Sequence, residues 1–190
     1  MLIPTHKLKA ALLCAATKDV RFYLNGVRVE CDGAGELLLI ATDEYVEFVG
    51  RLAVESDAPA FALTIPRDAV KTACAARTSM LELKVAEGTH QLGVVVFEPI
   101  DGRYPEWRRA IPVQHDPDAH AHYDWALLER ARAALAQWHK AKICTATIVR
   151  QGPDDGPGVA TAVDDTALVV IMPLRSKYVA EKLARPAPFI

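Results

Sequence analysis

The chain has 190 residues, 51% of them hydrophobic and 24% charged, with a formal net charge of −2. This is a soluble globular composition with room for one large domain or two small ones. No run approaches the ~20 apolar residues of a membrane span, and the start MLIPTHKLKA lacks the apolar region of a signal peptide, so the expected location is the cytoplasm.

Residues 5–18, THKLKAALLCAATK, carry Leu8, Leu12 and Ala15 at helical spacing, and Thr5 is placed to cap the N-terminus. Two β-rich runs follow, VRFYLNGVRVEC and ELLLIATDEYVEFVGRLAV, the second long enough for one bent strand or two. DGAGE between them is turn chemistry. FALTIP reads as a short strand and PRDAVKTACAAR as a helix with Pro66 in its first turn, where a missing N–H costs nothing. MLELKVA and HQLGVVVFEP are the next two strands. The segment DGRYPEWRRAIP, 101–112, is either a rigid loop whose aromatics pack on the core or the wall of a pocket.

Residues 114–123 form a polar linker. A third helix, DWALLERARAALAQWHKAK, has Leu128, Ala131, Leu135 and Trp138 on one stripe. The strands ICTATIV, GVATAV and TALVVIM follow, and the tail from 176 to 190 reads as a short helix ended by Pro186. One organisation therefore recurs three times: a helix, then two or three strands. The fold class is α+β, built of helix-plus-antiparallel-strand half units. Cys14, Cys31, Cys74 and Cys144 lie far apart with no C-x-x-C, which predicts buried free thiols rather than a zinc or redox site.

The net charge does not mark a nucleic-acid binder, but its distribution is uneven. The three helical segments hold ten basic residues (Lys7, Lys9, Lys18, Arg67, Lys71, Arg77, Arg130, Arg132, Lys140 and Lys142) against the acidic Asp68, Asp124 and Glu129. If the helices share a face, that face suits phosphates. The bland alternative is that lysine and arginine are good helix formers on solvated faces, although glutamate is equally good and scarce here. His115, Asp116, Asp118, His120 and His122 in the linker match no strong ligand spacing. No phosphate-binding loop, nucleophile elbow or H-E-x-x-H is present, so no enzyme and no cofactor are expected.

Several motifs in order resemble the bacterial DNA polymerase III β subunit, the sliding clamp. DVRFYLNGVRVEC resembles the strand leading into its L-N-G turn, and LLLIATDEYVEF its V-A-T-D-G-H-R-L-A strand. LTIPRDAV is similar to its V-P-R helix start, and ALVVIMPLR to its closing V-M-P-M-R-L. DGRYPEWRRAIP resembles its D-G-[RK]-[FY]-P-D-Y-x-R-V-[IL]-P loop. The resemblance implies a DNA-clamp fold with one clamp domain over 1–113, like the family's middle domain. A linker spans 114–123, a half domain spans 124–175, and a C-terminal tail spans 176–190. It also implies a divergent, shortened, phage-borne member, since T-D-G-H-R is here Thr42, Asp43, Glu44, Tyr45 and Val46.

The family implies a processivity factor that encircles double-stranded DNA without reading sequence, its helices lining the hole. It also implies a cleft for polymerase and clamp-loader peptides, here walled by Leu24, Thr42, Tyr45, Pro105, Arg109, Ala110, Val170, Met172, Pro173 and Leu174. Counting half units, three per chain against twelve in a family ring, favours a homotetramer. The competing reading is a non-ring module that captures clamp-binding peptides or clamp partners.

Overall fold

The structure is a computed structural model that describes residues 1–55, 59–86, 88–116, 121–141, 147–151, 156–161 and 164–175. Cys144, Lys142, Asp118, His120 and the tail 176–190 lie outside the described residues.

Strand β1 (Leu2–Pro4) runs into helix α1 (Thr5–Leu12). Pro4 holds the N-cap position, and Thr5 does not cap the helix as the sequence suggests. Its hydroxyl donates instead to the Thr78 carbonyl at 2.8 Å. The helix ends six residues before the expected Lys18. Its last turn tightens as the Leu13 and Cys14 amides bond three residues back, and the Arg67 guanidinium takes the Leu12 and Ala15 carbonyls at 3.0 and 2.8 Å.

The run expected as one strand over 20–31 is a 3-10 turn at Phe22–Leu24 followed by β2 (Gly26–Cys31). Asp19 and Asn25 clasp this turn. The Asp19 amide donates to Asn25 Oδ1 at 2.9 Å, and Asn25 Nδ2 returns a bond to the Asp19 carbonyl at 2.8 Å.

The next run is two strands, β3 (Glu36–Thr42) and β4 (Val46–Ala53). The turn between them places Glu44 at φ 75°. Asp43 Oδ1 accepts the Tyr45 and Val46 amides at 3.0 and 3.1 Å, which offsets the left-handed backbone. Strand β5 (Phe61–Pro66) leads directly into α2 (Arg67–Ala75), and β6 (Met80–Val85) follows. HQLGVVVFEP is not one strand but a hairpin, β7 (His90–Leu92) and β8 (Val95–Phe97), turned at Gly93 with φ 60°. A 3-10 turn, Trp107–Ala110, sits inside the 101–112 segment.

Helix α3 (Trp125–His139) begins where Asp124 accepts the Ala126 amide at 2.7 Å, and it stops at Lys140, φ 52°. Strands β9 (Thr147–Gln151), β10 (Gly158–Thr161) and β11 (Ala167–Ile171) complete the described elements.

Among the described residues, every strand pairing is antiparallel. One sheet has the order β1-β6-β7-β8 and the other β5-β2-β3-β4-β11-β10-β9. The third helix-plus-strands unit thus extends the sheet of the first through the β4–β11 ladder, Ala167 opposite Gly50 to Ile171 opposite Val46. Alternation along the strands sorts the two faces. Val27, Val29, Leu37, Leu39, Phe48, Val169 and Ile171 share one core with the helices and with Leu81, Leu83 and Leu92 of the smaller sheet. Leu38, Ile40 and Val49 point the other way, where Tyr104 and Trp107 cover them.

Trp138 joins the third unit to the first. Its side chain is fully buried, its ring lies 5.4 Å from that of Phe48, and Nε1 donates to Thr166 Oγ1 at 2.9 Å. Gly50 is required beneath it, because a Cβ there would run into the indole.

Candidate functional site: a helix face and a seam across three strands

The helices form one layer. Helix α1 packs against both α2 and α3, and all three lie against the inner faces of the sheets. The basic residues divide by what their charges meet. Lys9, Lys71, Arg77, Arg132 and Lys140 are exposed, as is Lys18, which stands in the loop after α1 with φ 56°. Arg132 pairs with Glu129 at 2.6 Å and pulls that carboxyl below its ordinary pKa.

The other described members of the set serve internal contacts. Arg67 is occupied by the end of α1. Arg130 ties α3 to the β3–β4 turn through Asp43 at 2.5 Å. Lys7 stacks on Trp138, Nζ 3.8 Å from the ring centroid, and burial lowers its pKa while Asp164 opposes the shift. The sequence gives these three the same weight as the exposed ones, because a pairing partner 87 residues away leaves no local trace.

The peptide-cleft set is brought together by the β3–β4–β11 ladder only in part. Thr42 and Val170 both stand opposite Glu47 in register and both are buried. Exposed Tyr45 accepts the Met172 amide at 2.9 Å through its carbonyl. Met172, Pro173 and Leu174 are half-buried after β11, and the Leu174 amide reaches the His122 carbonyl at 2.7 Å. Pro105 and Arg109 are exposed on the covering loop, Ala110 is half-buried there, and Leu24 is wholly buried at the end of its 3-10 turn.

The 101–112 loop both packs on the sheet and walls a concavity. Tyr104 and Trp107 close the outer face of the large sheet. A concavity of about 300 Å³ beside them, lined by Leu38, Val49, Trp107, Arg108, Ile111 and Leu168, lies next along the β4–β11 ladder from Glu47 and Val170. A larger one of about 830 Å³ lies elsewhere, between Met1, Val54, Phe61 and Leu83.

Sequence reasoning missed Glu47. It is 5% exposed, and Oε1 has no hydrogen-bond partner. Burial pushes its carboxyl up to about 8. Tyr104, also buried, has an unpartnered hydroxyl, and its pKa is raised by burial and then by Glu47. The available signal was that Glu47 falls at the leucine of the V-A-T-D-G-H-R-L-A pattern.

Cys14, Cys31 and Cys74 are buried free thiols, and burial pushes Cys14 up to about 12. Among the described residues, no group of three or more His, Cys, Asp or Glu side chains is placed to hold a metal. None of the described helices is long and apolar enough to cross a membrane.

A helix layer backed by antiparallel sheets that run on from one half unit to the next defines the DNA-clamp fold. Solved structures bear this out. The DNA polymerase III subunit beta from Pseudomonas aeruginosa superposes with a TM-score of 0.72 at 14% identity, over 92% of this chain and 66% of that one. The beta subunit from Thermotoga maritima gives 0.70 at 12%, over 92% and 65%.

In sequence, the chain is 32% identical to the beta sliding clamp of Salmonella typhimurium over 132 residues, 64% of this chain and 34% of that protein. It is 31% identical to that of Escherichia coli K12 over 140 residues, 68% and 36%. No protein-family model matches the chain. The chain belongs to the beta sliding clamp family, and it spans about a third of the length of the curated relatives it matches.

Proposed function

We propose that the chain acts as a sliding clamp, a non-catalytic processivity factor of DNA replication that works in the cytoplasm. It would surround duplex DNA and hold polymerase and loader peptides in the seam around Met172. The observation that supports this reading is that the helices pack as one layer and that Lys9 on α1 and Lys71 on α2 are exposed, with Arg77 and Lys140 exposed just beyond the ends of α2 and α3. Diffuse lysine and arginine contacts to phosphate suit a protein that must hold DNA without reading it.

We divide the chain as a clamp domain over 1–113, a linker over 114–123, a half domain over 124–175 and a tail beyond. The unit over 124–175 reaches other copies through the edges of its sheet, since exposed edges call for cover. Neither the fold nor the relatives select four chains over another number, so the proposal is assembly into a ring, with no count attached.

The non-ring module is favoured by one observation: Arg67, Arg130 and Lys7 are engaged within the fold, which thins the basic face. Two measurements separate the readings. Duplex binding by fluorescence anisotropy should be sequence-independent and fall steeply with salt. A Q-x-x-L-F-type peptide should bind and lose about 1–3 kcal/mol on Met172→Ala. Peptide binding without any duplex binding would favour the module, and loss of both would overturn the clamp reading.

A further inference from the structure

Glu47 is a poor residue for its place unless something meets it there. It lies on the outer face of β4, between Thr42 of β3 and Val170 of β11, both assigned above to the peptide seam. The neighbouring outward positions, Val49 and Leu168, are apolar and pack under Trp107. An apolar side chain at 47 would extend that surface at no electrostatic cost. A carboxyl group at 5% exposure instead leaves Oε1 without a partner, and the buried Tyr104 hydroxyl is close enough to feel its charge. Among the described residues, no salt bridge reaches Glu47, although Arg28, Arg108 and Arg130 all pair with other carboxylates around this sheet. A buried acceptor next to a buried hydroxyl, at the seam where a ligand is proposed to lie, is complementary to a cationic donor.

We propose that Glu47 sets the specificity of the seam by taking the ammonium or guanidinium of a lysine or arginine side chain from the bound peptide, with Tyr104 beside it. This rests on the peptide-binding reading above. An apolar anchor would leave Glu47 unpartnered and drier than before, and a site built for a polar partner discriminates strongly against an analogue that lacks it. The raised pKa fits this role. The carboxyl is largely protonated when the seam is empty and ionises when a cation arrives, so the charge is buried only when it is paired.

The test uses the full chain and two fluorescein-labelled peptides of the Q-x-x-L-F type, with lysine or norleucine, which lacks only the ammonium group, in place of the leucine. Binding is read by anisotropy near neutral pH. The unsubstituted protein should prefer the lysine peptide by about tenfold or more. Glu47→Gln keeps the shape without the charge and should abolish the preference, and Glu47→Leu should invert it. Circular dichroism checks that both variants fold, and Glu47→Gln alone decides if the leucine variant does not. A preference for norleucine in the unsubstituted protein, or a lysine preference that survives in Glu47→Gln, overturns the role of Glu47 and leaves the seam standing. Failure of both peptides to bind any of the three proteins overturns the seam and this inference together.

Discussion

Replacing Glu47 by glutamine should change how stability depends on pH. The carboxyl titrates near 8 in the folded chain against an ordinary 4.5. The folded state therefore holds its proton more tightly than the unfolded state. Stability from this group is complete below the unfolded value and is lost as pH rises through the folded one. At about 1.4 kcal/mol per pH unit, the gap is worth roughly 3–5 kcal/mol between pH ~5 and pH ~9. That is a large share of the 5–15 kcal/mol by which domains are typically stable.

Glu47→Gln cannot ionise, so its loss over the same range should be smaller by that amount. The assay is urea unfolding of both proteins by tryptophan fluorescence at a series of pH values, read as the difference between the two curves. The difference cancels other groups such as His6, whose pKa is lowered by burial and by Lys140 and Lys7. Parallel curves would refute the reasoning, because they would mean that Glu47 ionises at its ordinary pH in the folded state.

Trp138→Ala should cost about 3–5 kcal/mol in thermal or urea melts, because it empties the fully buried joint between α3 and β4. Gly50→Ala places a methyl group against the same indole and should cost about 1–3 kcal/mol, with the near-ultraviolet tryptophan signal shifted. Asp43→Ala removes both the α3 tether to Arg130 and the cap of the β3–β4 turn. It should destabilise the chain by about 1–3 kcal/mol in urea unfolding. Lys9→Glu with Lys71→Glu should weaken duplex binding and flatten its salt dependence while leaving the melting temperature unchanged, since both side chains are exposed.

The helices and their order were legible because 3.6-residue periodicity acts within one segment, as along Leu128, Ala131, Leu135 and Trp138 of α3, whereas the cap expected at Thr5 is not made. The strand boundaries were less so. The valine run 94–96 hides a hairpin because Gly93 alone carries the turn, and the Phe22–Leu24 turn depends on a clasp between Asp19 and Asn25 across six residues. The family motifs pointed to residues on β3 and around β11, but the chemistry between them was hidden for a different reason. In V-E-F-V the alternation reads Glu47 as the solvated side of a half-buried strand. Only the long-range return of Tyr104 and Trp107 over the outer face, and the addition of β11 beside β4, bury it. The same limit applies to the basic helices, where pairing with Asp43 or with α1 carbonyls separates structural arginines from exposed ones.

The central claim is that the protein holds DNA by surrounding it, and topology tests that directly. The protein is loaded onto closed circular duplex with a clamp loader and passed over a sizing column in high salt, which removes phosphate contacts. The account predicts that it travels with the circle and is released when a restriction enzyme linearises the DNA. Equal retention before and after cutting, or no retention on the circle, would contradict it.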